Sequence, residues 1–311
     1  MEREIKSAVI TGATGMLGIS LIEILLEQKI YCLAIVRSNS NRVKYLPKSK
    51  YLTVLECDIS KYQTIDIETQ KKYDAFFHFA WNGTVGNERS NYVNQINNIQ
   101  YTLDALELAK KFKCKIFIGA GSLAEYGQVN HVISPDTPVN PESGYGIAKY
   151  AAGKFSAIKA KELNLEFIWM RIFSVYGPYN IENSMIISVI KSLIKEKKAS
   201  LSKGSQMWDY LYSKDAALAF LKIAKKGKDQ SIYCIGSGES KPISEYAMIL
   251  KNTLNESLIL EFGKIPYSEN QIMYLCSDIS LLTKDTGFSP MISFEQGIRE
   301  TIEWVQTEMC E

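Results

Sequence analysis

Tyr145 and Lys149 are the residues whose types and spacing most directly suggest chemistry. They lie four positions apart at the start of a helical pattern, Tyr145–Leu163, and therefore share one face of the predicted helix. A tyrosine whose pKa is about 10 transfers protons poorly at neutral pH, whereas a neighbouring ammonium favours the phenolate form. Tyr/Lys pairs with this spacing are also common on helices without a catalytic role, so the pair alone does not assign a function.

Ser122 makes a catalytic interpretation of the pair stronger. It follows the apolar run Lys115–Ala120, which has the length and composition of a buried strand. In a parallel sheet, ligands bind at the carboxyl ends of the strands, and a hydroxyl there can hold a carbonyl oxygen while it is protonated. We therefore predict that Ser122, Tyr145 and Lys149 form one catalytic site.

A glycine-rich turn lies near the start of the chain, between the strand-like run Ser7–Thr11 and the helical pattern Met16–Gln28. Three glycines spaced G-x-x-G-x-x-G permit a tight turn, a close approach of the backbone to phosphate, and close packing of helix on strand. The helix N-terminus then offers free N–H groups to the pyrophosphate of a dinucleotide. A tight turn without a ligand is the alternative interpretation. The cofactor contacts predicted in this turn are Gly12, Thr14, Gly15, Met16, Leu17 and Gly18.

The residue after the second predicted strand selects between the two nicotinamide dinucleotides. That strand, Tyr31–Val36, ends directly before Arg37. NAD-binding chains place an acidic residue here to hold the ribose 2′-hydroxyl, whereas an arginine suits a 2′-phosphate. Ser38 and Arg42 could add contacts, and a solvated surface arginine is the alternative. The sequence therefore favours NADP(H) as cofactor and leaves NAD(H) open.

The overall composition restricts the classes of function. The 311 residues include 36 Lys+Arg and 34 Asp+Glu, a formal net charge of +2, which gives no reason to expect nucleic acid or an anionic membrane as partner. No apolar run approaches the ~20 residues needed to cross a bilayer. Six scattered cysteines and two histidines do not predict a metal site. The N-terminus lacks the pattern of a signal peptide, so we expect a cytoplasmic location.

Strand-like and helical segments alternate through the first 170 residues, and this alternation predicts the fold. Continuous apolar strands separated by helices are typical of a parallel sheet covered on both faces, so we predict an α/β fold with a Rossmann-type doubly wound parallel sheet. The remaining segments in this half are the strands Leu52–Cys57, Ala75–Phe79 and Glu166–Ile172 and the helix Asn94–Lys111.

After the Gly177-Pro178 turn the pattern becomes less regular. We predict an NADP-binding Rossmann domain over residues 1–175, to which 213–236 returns, and a smaller, mainly substrate-binding domain over 176–311. The segments predicted in the second half are the helices Asn183–Glu196, Lys214–Lys226, Ile243–Leu254 and Ser293–Gln306 and the strands Trp208–Tyr212 and Ser231–Ile235.

Taken in order, these motifs resemble the extended short-chain dehydrogenase/reductase family that acts on nucleotide sugars. The resemblance covers nearly the whole chain. Thr11–Gly18 is similar to the family's cofactor loop, and Ser122, Tyr145 and Lys149 match its catalytic triad. The resemblance implies a Rossmann domain with a small C-terminal substrate domain. It also implies a homodimer, because dimers built through a helix bundle are usual in this family.

The resemblance implies further cofactor contacts. Trp81 stands where the family usually has a small residue, and Asn98 matches a structural asparagine. On residue type alone, Asp58 is explained equally well as a loop-capping aspartate. The implied contacts are Asp58 and Ile59 after the third strand, Phe79, Ala80 and Trp81 after the fourth, Asn98 in the following helix, and Phe173 in the segment beside the nicotinamide.

Departures from the family pattern discriminate among its branches. Sugar-nucleotide 4,6-dehydratases carry an Asp-Glu pair directly after the catalytic hydroxyl residue, where this chain has Leu123 and Ala124, neither of which can transfer a proton. The epimerase-reductases that make GDP-fucose have a cysteine at the position of Ala124. Glu125 lies one place later than the dehydratase pair. The 4,6-dehydratase activity and the epimerase-reductase activity that makes GDP-fucose are therefore both disfavoured.

A 4-ketoreductase that consumes NADPH and a 4-epimerase that keeps one NAD remain. Arg37 favours the reductase, as does the run Gly119–Gly127, which is similar to reductases making CDP- or dTDP-linked 6-deoxyhexoses. We expect stereospecific reduction of a nucleotide-linked 4-keto-6-deoxy sugar at C4, in deoxysugar or polysaccharide biosynthesis. A 4-epimerase is the first alternative and a non-catalytic NADP-binding sensor the second.

The predicted substrate contacts are Ser122, Glu125, Tyr145 and Trp208. Many relatives have an arginine at the position of Trp208, where it grips the nucleotide diphosphate. A tryptophan cannot hold two phosphates, so another cation has to bind them. The candidates are Lys191, Lys195, Lys203 and Arg299.

Overall fold

Seven parallel strands form the central sheet in a computed structural model, which describes residues 2–65, 72–180, 184–268 and 271–310. The strands lie in the order β11-β6-β5-β4-β1-β2-β3. The strands within the described residues are β1 Ser7–Thr11, β2 Tyr31–Val36, β3 Leu52–Glu56, β4 Ala75–His78, β5 Ile116–Ser122, β6 Glu166–Ile172, β7 Ser174–Tyr176, β8 Lys198–Ser200, β9 Met207–Trp208, β10 Tyr210–Tyr212, β11 Ile232–Ile235, β12 Lys241–Pro242 and β13 Ile259–Glu261.

Helices cover both faces of the sheet. The helices are α1 Met16–Glu27, α2 Tyr92–Lys111, α3 Gly144–Glu162, α4 Met185–Glu196, α5 Ser213–Lys226, α6 Ile243–Leu254, α7 Ser280–Thr286 and α8 Phe294–Cys310. Helices α1 and α5 pack together on one face of the sheet, and α2 and α3 pack together on the other. This arrangement confirms the predicted Rossmann-type doubly wound fold.

The strand order reverses between β1 and β4, and this reversal positions the site. The chain builds β1, β2 and β3 outward in one direction and then returns to place β4 on the other side of β1, with Thr11 paired to both Ile35 and His78. Neighbouring loops diverge at such a switch point and leave a crevice at the carboxyl ends of the strands. The glycine-rich turn after β1 and the segment after β4 border this crevice.

Alternating side chains of the strands enter two separate apolar layers. On β5, Ile116 and Ile118 join the layer under α1 and α5, whereas Phe117 joins the layer under α2 and α3. Phe117 stacks between Phe76 of β4 and Phe167 of β6, with ring centroids 5.4 and 6.2 Å away. This aromatic row joins three adjacent strands near their amino ends, and we expect it to fix the strands relative to one another.

The C-terminal half contributes to the sheet and to a separate core. Strand β11 pairs in parallel with β6, and α5 packs on α1, so both belong with the central sheet. A further apolar cluster joins α4, α6 and α8, with Ile190, Leu250 and Ile302 buried at its centre. Three two-stranded ladders accompany it, β7 with β10, β9 with β12, and β8 with β13.

Most predicted segments correspond to observed elements, with two informative differences. The predicted strand Trp208–Tyr212 is split into β9 and β10 at Asp209, whose fully buried carboxylate accepts hydrogen bonds from Ser237 and Ser277. The helix predicted over Asn183–Glu196 begins at Met185, because Ser184 is extended and caps it, and Asn183 lies outside the described residues. Across the described ranges, no helix combines the length and apolar character that crossing a bilayer requires.

Candidate active site

The glycine-rich turn is packed so closely that side chains would not fit. Gly12 has φ +64°, and a Cβ added there would lie 2.7 Å from the backbone nitrogen of Ala80. A Cβ on Gly18 would lie 2.5 Å from the carbonyl oxygen of Gly12. Both contacts are too short for carbon, so these glycines are needed for the turn to approach the segment after β4 and the first turn of α1.

The N-terminus of α1 suits an anion. The helix begins at Met16 with Gly15 as its N-cap, and no described side chain caps it. The N–H groups of a first helical turn lack partners within the helix and carry a partial positive charge. The turn and the helix end therefore fit the pyrophosphate of a nicotinamide dinucleotide, with backbone donors from the predicted residues Met16, Leu17 and Gly18.

The ends of β2 and β3 lie at the same edge of the sheet. Arg37 and Ser38 directly follow β2 and are exposed. The Oδ1 atom of Asp58 accepts hydrogen bonds from the backbone N and Oγ of Ser60, at 3.1 and 2.9 Å, and so caps the 3₁₀ helix Ile59–Thr64. The structure thus shows the loop-capping role of Asp58 directly, and its contact to adenine stays a prediction.

Arg42 supports the glycine-rich turn from outside. Its Nε donates to the carbonyl oxygen of Thr14 and its Nη2 to that of Tyr179, both at 2.7 Å. The guanidinium therefore ties the turn to the 3₁₀ helix Asn41–Tyr45 and to the segment after β7. We infer that Arg42 contributes to the shape of the turn.

A hydrogen-bonded network fixes the segment after β4. The backbone nitrogen of Ala80 donates to Oγ1 of Thr11 at 3.3 Å, and the same oxygen lies 2.8 Å from Nδ1 of His78. Burial lowers the pKa of His78 to about 3, and the positive charge of Lys149 acts in the same direction. His78 is therefore neutral under ordinary conditions and is a core residue, as its apolar strand predicts.

Asn98 holds the next part of this segment. Its Oδ1 accepts from the backbone nitrogen of Asn82 at 2.9 Å, and its Nδ2 donates to the carbonyl oxygen of Asn82 at 2.8 Å. The side chain is fully buried. The structure thus shows the structural role of Asn98 that the resemblance also implied, and its contact with the cofactor stays a prediction.

Ser122 ends β5 and starts the short 3₁₀ turn Leu123–Glu125. Its Oγ accepts a hydrogen bond from the backbone nitrogen of Ala124 at 3.2 Å. Because that bond uses a lone pair, the hydroxyl proton remains to be donated to a ligand. The residue is 8% exposed, at the carboxyl edge of the sheet.

The structure shows Glu125 in a structural role, and its predicted contact with the substrate gains no support and stays a prediction. The residue is 1% exposed, and its Oε1 accepts from the backbone nitrogen of Ser122 and from Nε1 of Trp169, each at 2.9 Å. Its Oε2 pairs with Nε of Arg171 at 2.8 Å. The carboxylate lies under the strand end with both oxygens bonded. The S-x-x-E spacing of Ser122 and Glu125 is the sequence signal that could have revealed this capping box.

Helix α3 begins directly against this turn. Its N-cap residue Ser143 accepts a hydrogen bond from the backbone nitrogen of Gly146 at 3.1 Å. A Cβ on Gly146 would lie only 2.2 Å from the carbonyl oxygen of Ala124. The glycine thus allows the first turn of α3, which carries Tyr145, to lie beside Ser122.

Lys149 is buried, one turn further along α3. Its Nζ donates to the carbonyl oxygen of Ala120 at 2.7 Å and lies 3.7 Å from the ring centre of Trp81 and 5.8 Å from that of Tyr145. Burial lowers the pKa of Lys149 to about 7, although the charge of Glu125 acts in the opposite direction. The site therefore holds an ammonium whose charge is marginal at neutral pH.

Trp81 and Arg89 enclose the ring of Tyr145. Trp81 meets it edge to face with centroids 6.1 Å apart, and the Cζ atom of Arg89 lies 4.4 Å from its centre. The sequence does not identify Arg89, because it lies in a 3₁₀ turn, Gly86–Ser90, inside an irregular segment.

On the C-terminal side, Trp208 lies beside the segment that contains Phe173. The indole Nε1 donates to Oγ of Ser174 at 2.8 Å, and the ring packs against a small cluster that includes Phe173. Strand β9 pairs with β12 so that Lys241 lies opposite Trp208 in the ladder, and its Nζ is 3.4 Å from Oε1 of Glu245. Sequence reasoning missed this cation because the pairing strands have only two residues each. Of the cations predicted for the diphosphate, Lys191, Lys195 and Lys203 are exposed and Arg299 pairs with Glu295.

Comparison with known proteins identifies the family. The model described as the NAD dependent epimerase/dehydratase family matches residues 8–236. The chain belongs to this family. The match confirms the resemblance to extended short-chain dehydrogenases/reductases and covers the glycine-rich turn and the predicted catalytic residues.

Curated relatives extend over almost the whole chain. CDP-abequose synthase of Salmonella typhimurium is 26% identical over 308 residues, covering 95% of this chain and 97% of the relative. A putative UDP-glucose 4-epimerase of Methanocaldococcus jannaschii is 25% identical over 308 residues, covering 96% of this chain and 98% of the relative. Both names refer to enzymes of nucleotide sugars.

Solved structures share the fold. UDP-glucuronic acid 4-epimerase from Bacillus cereus in complex with NAD has a TM-score of 0.82 and is 20% identical, covering 97% of this chain and 99% of its own. At this identity the comparison establishes the fold.

Proposed function

We propose that the protein reduces a nucleotide-linked 4-keto-6-deoxy sugar at C4 with a nicotinamide dinucleotide, preferably NADPH. The proposal depends above all on the convergence of Ser122, Tyr145 and Lys149 at the carboxyl edge of β5, beside a turn that fits a dinucleotide pyrophosphate. The similarity to CDP-abequose synthase supports a CDP- or dTDP-linked sugar as substrate.

Each residue of the triad has a separate role. The cofactor, when bound, supplies the hydride for C4. Ser122 donates its hydroxyl proton in a hydrogen bond to the sugar carbonyl oxygen and so fixes its position. Tyr145 transfers a proton to the oxygen as negative charge develops on it. Lys149 provides a positive charge beside the phenol that favours the tyrosinate left behind.

The surroundings of Ser122 support reduction over dehydration. Elimination of water needs a further acid or base next to the catalytic hydroxyl, and Leu123 and Ala124 cannot serve. Glu125 cannot replace them, because its carboxylate is bonded to Ser122, Trp169 and Arg171. Proton transfer is thus assigned to Tyr145.

The C-terminal elements outside the sheet are proposed to bind the nucleotide sugar. Trp208 lies beside Ser174, and Lys241 faces it across the ladder of β9 and β12. A lysine and an aromatic residue at paired positions suit a diphosphate and a base or sugar, provided that the lysine exchanges its partner Glu245 for the phosphates. This makes Lys241 a further candidate for the diphosphate contact that Trp208 cannot provide.

A second candidate function is a nucleotide-sugar 4-epimerase with tightly bound NAD. The relative from Methanocaldococcus jannaschii and the solved structure from Bacillus cereus carry 4-epimerase names, and the latter contains NAD. An epimerase needs the same triad, since it removes and returns one hydride at C4.

One assay separates these functions. The purified protein is incubated with NADPH or NADH and a panel of CDP-, dTDP- and UDP-linked 4-keto-6-deoxy sugars, and cofactor oxidation and sugar products are both measured. Stoichiometric oxidation supports the reductase. Interconversion of 4-hydroxy sugars without net oxidation supports the epimerase, and cofactor binding without either reaction indicates a sensor. NMR of the product then gives the C4 configuration.

The preference for NADPH rests on Arg37 and Ser38, and it has its own test. Arg37→Ala is expected to lower kcat/KM for NADPH on the order of 10–100-fold, because a charge-assisted hydrogen bond to the 2′-phosphate is lost. The value for NADH should change little, and Arg37→Lys should retain part of the preference. Equal kcat/KM for both cofactors in the parent protein would remove the argument for NADPH.

We also propose that the protein forms a homodimer through α2 and α3. Both helices carry large apolar side chains that are more than half exposed although the helices lie side by side. Such a contiguous apolar surface is typical of an interaction site. Its members are Tyr92, Val93 and Ile96 on α2 and Ile147, Phe155 and Ile158 on α3.

A further inference from the structure

A second cation besides Lys149 faces Tyr145. The Cζ atom of Arg89 lies 4.4 Å from the centre of the Tyr145 ring, closer than Nζ of Lys149 at 5.8 Å. A guanidinium over an aromatic face is attracted by the ring, and it interacts still more strongly with a ring that carries a negative charge.

The segment that carries Arg89 is held in place at several points. Gln95 is buried on α2, and its Nε2 donates to the carbonyl oxygens of Gly83 and Glu88 at 2.8 and 3.0 Å. The backbone of the segment also lies close to the start of α3, since a Cβ on Gly144 would lie 3.8 Å from the carbonyl oxygen of Arg89. The backbone that carries Arg89 is thus held from both sides.

The two cations respond differently to pH. Burial lowers the pKa of Lys149 to about 7, so its ammonium loses its proton around neutral pH. An arginine keeps its charge throughout this range. Of the charged groups near Lys149, His78 is neutral, and Glu125, whose charge raises the pKa of Lys149 against the effect of burial, is paired with Arg171. Above neutral pH, Arg89 therefore still presents a positive charge to the ring of Tyr145.

We infer that Arg89 is a positioning residue that favours the ionised form of Tyr145 through the face of its ring. In the reduction, the O–H bond of Tyr145 breaks, its proton goes to the oxygen at C4, and the electron pair stays on the phenolate. Arg89 stabilises that phenolate. The inference rests on the proposed function only in taking Tyr145 as the proton donor.

The test measures ionisation of Tyr145 without any substrate. Protein labelled with ¹³C at tyrosine Cζ is titrated by NMR, and the Tyr145 signal is assigned from its loss in Tyr145→Phe. In Arg89→Met we expect the midpoint to move about one pH unit upward, a tenfold weaker acid, because the nearby positive charge is removed. Arg89→Lys should recover part of the difference.

Lys154→Met is the matched control. Lys154 lies exposed on the same helix, 5.6 Å from the ring of Tyr150, so this variant removes a cation beside another tyrosine. The midpoint of Tyr145 should not move. An unchanged midpoint in Arg89→Met, with circular dichroism equal to that of the parent, would overturn the inference. Should Arg89→Met fail to fold, the neutral variant Arg89→Gln takes its place, and an unchanged Tyr145 midpoint in Arg89→Gln would do the same.

Kinetics provide a second readout. If Tyr145 is the acid, the alkaline limb of kcat/KM for ketone reduction should move upward in Arg89→Met by the same amount as the NMR midpoint. A shifted NMR midpoint without any reductase activity would leave the role of Arg89 intact and reject the proposed function. A shifted kinetic limb with an unchanged midpoint would reject the role of Arg89 alone.

Discussion

The hydroxyl of Tyr145 is the one group of the site to which proton transfer is assigned. Tyr145→Phe keeps the ring and its contacts with Trp81 and Arg89 but removes the transferable proton. We expect kcat to fall on the order of 10²–10⁴-fold, with cofactor affinity largely retained. Steady-state rates and a fluorescence titration of the cofactor measure the two quantities. Turnover within a few-fold of the parent would reject the mechanism.

The burial of Lys149, which the site requires, lowers the free energy of unfolding. Its pKa is lowered to about 7 by burial, whereas in the unfolded chain it returns to the ordinary value of 10.5. Between these values the unfolded chain binds the proton that the folded protein lacks, so the free energy of unfolding rises with pH, by up to about 1.4 kcal/mol per unit. As pH falls through this window, that contribution is lost.

Lys149→Met should therefore remove this pH dependence and abolish most activity. Urea unfolding at pH 7, 8 and 9 measures the free energy in the variant and in Lys154→Met, whose altered side chain is exposed. In the parent and in Lys154→Met, the free energy of unfolding should rise more steeply with pH than it does in Lys149→Met. Parallel pH profiles in all three proteins would mean that the ammonium is not penalised by burial.

At the scale of elements, the junction of β5, its 3₁₀ turn and α3 brings the triad together. Gly146→Ala would introduce a Cβ 2.2 Å from the carbonyl oxygen of Ala124. The helix has to move away from the turn, so we expect a loss of about 1–3 kcal/mol in the free energy of unfolding and a marked fall in kcat. Chemical denaturation and steady-state kinetics measure both effects.

Lys161→Ala is the control, because Lys161 is exposed near the other end of α3. Its free energy of unfolding should stay within about 0.5 kcal/mol of the parent value. If Gly146→Ala behaved like this control, the close contact between α3 and the turn would not be needed for the site.

The same junction shows which features can be predicted from the sequence. The apolar run before Ser122 and the periodicity after Tyr145 predict β5 and α3, because strand and helix periods are local properties of the chain. The direction in which the side chain of Glu125 points depends on one turn of backbone and on its partner Arg171. Arg171 lies 46 positions away and reaches Glu125 only because β5 pairs with β6. Arg89 and Lys241 reach the site through packing of short irregular segments, which leaves no periodic signal.

At the scale of the whole molecule, the site faces the crevice and the exposed apolar surface lies on α2 and α3. The α/β pattern, the switch point and the family could all be predicted from the sequence, because they depend on many residues at once. The split of Trp208–Tyr212 could not, since the buried carboxylate of Asp209 is satisfied by donors from Ser237 and Ser277, distant in sequence.

The proposed homodimer is the prediction that belongs to this scale. Ile96 and Phe155 are 64% and 54% exposed, one on each helix of the apolar surface. Placing a carboxylate at both positions would bury charge in the interface, at a cost of several kcal/mol for each unpaired ion. We therefore expect the double variant Ile96→Glu/Phe155→Glu to be a monomer by sedimentation equilibrium, whereas the parent is a dimer.

The control for this variant places the same charges elsewhere on the surface. Ile259 and Met291 are 58% and 70% exposed and lie outside α2 and α3, so Ile259→Glu/Met291→Glu should leave the dimer intact. Arg89 lies just before Tyr92, the first residue of α2, in a segment that Gln95 and the start of α3 hold within the same subunit. The monomeric variant should therefore keep the Tyr145 midpoint of the parent. A parent protein that sediments as a monomer would reject the interface.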